Sequence, residues 1–348
     1  MSVTRRQLLQ AGLASALLPE LGASSALAAP AIPAVGMRDK PARPYRIYMM
    51  LYRGETEVEK GFRSYLASRN IPVELIVRDV AQDMSRVPAL IAEARALHVD
   101  LVYTWGTPVT LAVAGTRRGV DAAKNIADIP LVFTMVASPE TSGLVDVRHS
   151  SGRNITGASH VVPLDQQLGA IRAYRPLKKL AVIYNPAEPN SRLNVEELRA
   201  ASVRGRFPLF EQPVPLDDKG QAIVAALPHL VENLAQRDPQ LLYLGPDSFI
   251  GANCGVITET ALKFRLPCFS ATEIALRNGK ALFGLVSRYE AVGRLTARMA
   301  EQILVKKMRP QDIPIETLAR FSYLVNMSIA ASLDVYPPLK VINYAEMI

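Results

Sequence analysis

Cysteine, tryptophan and histidine are scarce in this chain of 348 residues, which holds two, one and four of them respectively. Cys254 and Cys268 belong to no C-x-x-C pair and have no histidine close by in sequence, so a zinc site is not indicated. Whether the two thiols join stays open here, because a disulfide needs a geometry that sequence does not supply. His98, His149, His160 and His229 show no metal-ligand spacing and read as surface or loop histidines rather than bases. G-x-S-x-G and G-x-x-x-x-G-K-[ST] are missing, as is G-x-G-x-x-G after the first strand, and no nucleophile stands with a base. No segment is apolar for long enough to span a bilayer core of about 30 Å. Basic and aromatic residues do not alternate as a stacking groove for nucleic acid would need. The net charge of +8 is instead scattered in separate pairs such as Arg117-Arg118, Lys178-Lys179 and Lys306-Lys307, and reads as a general surface property. No metal, no cofactor and no nucleic-acid partner are implied.

What is present is a globular composition, 49% hydrophobic and 21% charged, in a chain long enough for about two domains. The first residues read as an address. Arg5-Arg6 precede an apolar run at 11–18, and Ala26-Leu27-Ala28 offers small residues for cleavage near Ala28. This resembles a twin-arginine export signal over residues 1–28 and implies a periplasmic, non-membrane-spanning product. No cysteine follows it, so a lipid anchor at this end is not indicated. Residues 29–44, rich in proline and alanine, read as a linker.

From there strands and helices alternate. Apolar runs at 46–51, 73–77, 100–104 and 131–136 predict strands, with helices at 55–69, 88–97 and 108–115 between them. After residues 152–159, read as a crossover, the pattern restarts. Strands are expected at 180–184, 207–214, 241–244, 267–270 and 281–286, with helices at 164–174, 194–204, 221–235 and 255–265. Short apolar runs rather than strict alternation indicate parallel sheets covered on both faces. The fold class is therefore α/β, with two doubly wound parallel-sheet lobes. A long helix at 289–306 and a strand at 321–325 suggest that the chain crosses between lobes more than once, making a multi-strand hinge. The expected division is 45–156 plus 287–319 for one lobe and 157–286 plus 320–348 for the other.

In doubly wound sheets ligands bind beyond the C-terminal strand ends. Those ends carry Trp105-Gly106-Thr107-Pro108, Ala137-Ser138-Pro139, Tyr184 through Asn190-Ser191, Gly245-Pro246-Asp247-Ser248 and Ser270-Ala271-Thr272-Glu273. Such residues are common caps and turn formers, but five turns across two lobes suggest facing jaws. Helix N-termini with the hydroxyls of Thr107 and Ser191 suit a carboxylate, and Asp247 or Glu273 an ammonium group. Trp105, Tyr52 and Tyr184 are candidates for a stacking wall.

The segments GTPVTLAVA (106–114), IPLVFTMVASPETSGLV (129–145), GRNITG (152–157), LAVIYNPAEPNS (180–191), LGPDS (244–248) and FSYLVNMSIAASLDVYPP (321–338) resemble the tryptophan/tyrosine-type ABC-transporter substrate-binding proteins. The resemblance runs from about residue 46 to the end. It implies a type I periplasmic-binding-protein fold whose lobes close on a small-molecule ligand and hand it to an ABC permease in the inner membrane; the missing catalytic pair favours a non-enzymatic receptor, expected to be a monomer. It also implies that Thr107, Ser138, Asn190, Ser191, Asp247 and Thr272 face that ligand. Ala137-Ser138-Pro139 and Pro246-Asp247-Ser248 depart from the family's usual Thr-Asp-Pro and Pro-Asp-Asn turns, which leaves the ligand's identity open. An exported enzyme using the same cleft, or a sensory module for a membrane receptor, are the alternative readings.

Overall fold

The structure is a computed structural model that describes residues 43–348, so the segment read as an export signal and nearly all of the expected linker lie outside the described residues. Five strands form the first sheet: β1 (Tyr45–Leu51), β2 (Val73–Asp79), β3 (Leu101–Trp105), β4 (Leu131–Val136) and β5 (Ile155–Ser159). They lie in the order β2-β1-β3-β4-β5 and all pair in parallel. β3 and β4 are buried along their whole length, as the mainly apolar strands of a doubly covered parallel sheet must be, and β5 is buried too. The covering helices include α1 (Glu57–Ser68), α2 (Val87–Ala96) and α3 (Thr107–Ala114). α1 opens with a capping box, Thr56 against Glu59, and the buried Glu59 carboxyl also accepts a 2.5 Å hydrogen bond from Tyr103.

The chain then passes to the second body through α4 (Leu164–Tyr174). Its sheet contains β6 (Leu180–Tyr184), β7 (Leu209–Pro213), β8 (Leu241–Leu244), β9 (Cys268–Ser270), β10 (Phe283–Val286), β11 (Ser322–Val325) and β12 (Glu346–Met347). The order is β12-β11-β10-β9-β8-β6-β7, parallel throughout except where β11 runs antiparallel to β10. Its helices are α5 (Pro189–Gly205), α6 (Leu227–Ala235), α7 (Ser248–Ala252), α8 (Cys254–Lys263) and α9 (Ile274–Arg277). Between β10 and β11 the chain leaves this sheet, and α10 (Tyr289–Leu304) packs into the core of the first. α11 (Met327–Leu333) and α12 (Leu339–Ile342) close the second body.

Three passages therefore join the two sheets: after β5, after β10 and before β11. Two of them touch, since Ala158 bridges Glu316 and the Ser159 N–H donates to the Glu316 carbonyl at 2.8 Å. That is a hinge of several strands.

The sequence reading needs three corrections. Residues 155–159 form an edge strand rather than a crossover. ITGAS lacks an apolar run because Gly157 lies against Phe133, where a Cβ would come within 2.2 Å of the Phe133 carbonyl oxygen. α5 begins at Pro189, not at 194, because proline's fixed φ suits a first helical turn. The 221–235 helix shortens to α6, preceded by one 3₁₀ turn at Val224–Ala226. His160, read as a surface or loop histidine, lies in the loop after β5 but is buried. Cys254 and Cys268 are separate buried thiols, and burial pushes Cys268 up to about 12. Among the described residues no helix is long and apolar enough to cross a membrane.

Candidate functional site

The C-terminal ends of β1, β3, β4 and β5 face those of β6, β8, β9 and the start of α10 across a narrow cleft. Arg53, Trp105, Thr107, Met135 and His160 line it from the first sheet. Asn190, Pro246, Asp247, Ser248, Gly251, Thr272, Ile274 and Tyr289 complete it. The enclosed cavity is about 20 Å³, room for about one water molecule, so the jaws are shut.

Two contacts show how closely they meet. A Cβ on Gly106 would lie 3.6 Å from the Ser248 hydroxyl, and Gly106 has φ of +83°, which favours glycine. Arg53 reaches across, its Nη1 donating to the Ser248 carbonyl at 3.0 Å while its guanidinium stacks 4.5 Å from the Trp105 ring centroid. Gly251 leaves space for that guanidinium, since a Cβ there would come within 2.9 Å of Nη1. Beside it, β4 bulges between Phe133 and Val136, and Met135 takes φ of +57°. A bulge with a left-handed methionine is a strained way to aim a side chain into a site, and such strain recurs at ligand clamps.

Asp247, which lines the cavity, and the buried Glu188 and Glu273, which neighbour its lining residues in the fold, are held by the protein itself. Asp247 caps α7 through the Ile250 N–H at 2.9 Å. Its other oxygen accepts from the Asn185 N–H at 2.7 Å and the Ser191 hydroxyl at 2.6 Å. Glu188 accepts from the Ser248 and Phe249 N–H groups at 3.0 and 2.9 Å, and from Asn190 Nδ2 at 3.3 Å. Two carboxyl groups thus fill the N-terminus of α7. Burial, reinforced by the Glu188 charge, pushes the Asp247 carboxyl up to about 8. Glu273 accepts from the Tyr289 N–H at 2.5 Å and pairs with Arg288 at 2.9 Å and Arg277 at 3.3 Å.

Four buried polar atoms at the cleft have no partner: Arg53 Nε, Trp105 Nε1, His160 Nδ1 and Asn190 Oδ1. An unpaired buried polar group costs about 1–3 kcal/mol, and four around one small space mark a surface shaped to be completed. His160 is held neutral, since burial and then the Arg53 charge push its imidazole down to about 3.

Of the residues singled out from sequence, Trp105, Thr107, Asn190, Asp247 and Thr272 come together in this cavity. Gly106 stands at the meeting point with Ser248, Ser191 supports Asp247, and Tyr52 is buried within the electrostatic reach of Glu188 and Asp247. Ser138 lines a separate, larger hollow of about 630 Å³ beside the hinge. Tyr184 is half-buried near Glu211 and Arg199 and does not line the cleft. Sequence reasoning passed over Arg53, Met135, His160, Gly251 and Tyr289. Arg53 and His160 follow β1 and β5 directly, so extending the strand-end rule to every strand would have found them.

The comparisons with known proteins agree with this architecture. The tyrosine-binding protein of Clostridioides difficile (strain R20291) is 24% identical over 285 residues, covering 80% of this chain and 76% of its own. A solved structure described as the ABC domain in complex with L-Trp from Streptococcus pneumonia superposes with a TM-score of 0.75 at 21% identity. It covers 87% of this chain and 99% of its own. A conserved domain protein from Vibrio cholerae superposes with a TM-score of 0.77 at 19% identity, over 88% of this chain and 99% of its own. At those identities the superpositions show the fold, that of type I periplasmic binding proteins. The sequence profile described as ABC transporter substrate binding protein matches residues 73–348, and the chain belongs to that family.

Proposed function

We propose that this protein is an exported receptor for a small polar or amino-acid-like solute, which it binds between its lobes and delivers to an ABC permease. The observation that carries the reading is the cleft: facing strand ends from two sheets, one multi-strand hinge, and four unpartnered buried polar atoms around the contact. A cavity of about 20 Å³ is too small for a solute, so binding requires the jaws to part and close again. Closure is then a population shift driven by contacts that only the closed form makes. The tyrosine-binding relative supports an amino-acid-like ligand. Arg5-Arg6 and the small residues at 26–28 support export to the periplasm.

Thr107 tests the reading at the first jaw. Its hydroxyl oxygen accepts from the Ala137 N–H at 3.1 Å, which leaves its own O–H to donate. Thermal-shift screening of the purified protein against amino acids, nucleosides and sugars should reveal a stabilising solute. Thr107→Ala should then weaken that solute by about tenfold, the size of one lost hydrogen bond. A solute that is chemically turned over by the protein would instead establish an enzyme in the same cleft.

A further inference from the structure

Resting on that receptor reading, we infer that the cleft selects its solute by a carboxylate, anchored on Arg53, and does not require an α-ammonium group. An amino-acid site ordinarily offers a cation or donors to the carboxylate and an acid to the ammonium. Here only the first half is free. Asp247 accepts three hydrogen bonds, Glu188 holds the Ser248 and Phe249 N–H groups, and Glu273 is paired with Arg288 and Arg277. Withdrawing one of these acids to meet an ammonium would strip the turn it supports of its own partners.

The unspent chemistry points the other way. Arg53 Nε and Trp105 Nε1 are donors without acceptors, and both lie on the first wall of the cavity. Arg53 lies with its plane over Trp105 on the same wall, which holds the cation in place when the jaws part, and closure brings its Nη1 onto the Ser248 carbonyl. An ammonium placed in the same space would face that guanidinium, and the one acid lining the cavity, Asp247, is already engaged by Asn185, Ser191 and Ile250. Asn190 Oδ1 is the free acceptor opposite, and as a neutral amide oxygen it takes a ligand hydroxyl as well as an N–H. The ligand class is therefore a small monocarboxylate with a hydrogen-bond donor at its other end.

Isothermal titration of the full-length protein with three related probes tests this: L-tyrosine, its deaminated acid 3-(4-hydroxyphenyl)propionate, and its decarboxylated amine tyramine. The expected result is that the two carboxylates bind within about tenfold of each other and tyramine at least about 100-fold more weakly. Tyramine binding as tightly as the acid, or the acid falling about 100-fold below L-tyrosine, overturns the inference and leaves the receptor reading standing. So does a screen in which the only stabilising solutes are uncharged or cationic. A protein that no solute stabilises overturns the receptor reading, and the inference with it. Arg53→Gln, checked for an unchanged unliganded circular dichroism spectrum, should lower carboxylate affinity by at least about 50-fold, and Arg53→Lys by less. Because the three-probe comparison uses the wild-type chain, it decides the question even if the Arg53 variants fold poorly.

Discussion

Asp247 and His160 line the same cleft, and their pKa values are shifted in opposite directions. Asp247 has its folded pKa raised, so the folded chain holds a proton there that the unfolded chain releases above the ordinary carboxylate range. Its contribution to stability is present at low pH and is lost as pH rises towards 8. His160 has its folded pKa lowered, so the unfolded chain takes up a proton below about 6.5 that the folded chain refuses. Its contribution is lost on acidification. Between about pH 4 and 6.5 the two slopes oppose, and above 6.5 Asp247 acts alone. Denaturant unfolding should therefore show stability falling from pH 6.5 to 8 by at most about 1.4 kcal/mol per pH unit. Asp247→Asn should flatten that limb, and His160→Gln should steepen the gain on acidification below pH 6.5. A limb unchanged by Asp247→Asn would place the titrating proton elsewhere. Asp247 itself shows what was readable at this scale. Its position in a strand-end turn was legible from LGPDS, but its partners were not, because the bonds to Asn185 and Ser191 span a separation of about 60 residues that no local pattern encodes.

Among the elements, α1 and α10 are joined by two glycines that face each other's backbone. A Cβ on Gly61 would fall 2.1 Å from the Glu290 carbonyl oxygen, and one on Gly293 would fall 1.9 Å from that of Val58. Neither gap can be relieved by turning a side chain, since the obstacle is main chain. Gly61→Ala or Gly293→Ala must push the helices apart, and each should cost about 1–3 kcal/mol in denaturant unfolding. Gly169→Ala in α4, which has open space around it, is the control and should stabilise by about 0.5–1 kcal/mol. Equal gains at all three positions would mean that helix propensity, not close packing, governs these sites. The 3.6-residue periodicity of both helices was plain in the sequence, and α10 was expected to return to the first lobe, yet nothing local said that α1 would be its partner. β5 stayed hidden for the converse reason: its small residues are fixed by the neighbouring Phe133, not by a strand pattern of their own.

For the whole molecule, two parallel sheets were legible because buried strands must read as apolar runs, and the jaws because ligands collect at strand ends. The hinge was anticipated from a chain that returns once too often for two simple beads. The free chemistry of the cleft was not, since it depends on which polar atoms remain after the internal bonds are made. That remainder, four buried atoms without partners between two lobes, is what the proposed receptor reading rests on. Native mass spectrometry of the purified protein with a mixed panel of amino acids, organic acids, nucleosides and sugars tests this most directly. The prediction is a one-to-one adduct with at least one solute, retained by Tyr184→Phe outside the cleft and lost in Arg53→Gln. No adduct from the panel, or an adduct that Arg53→Gln leaves at full strength, would contradict it.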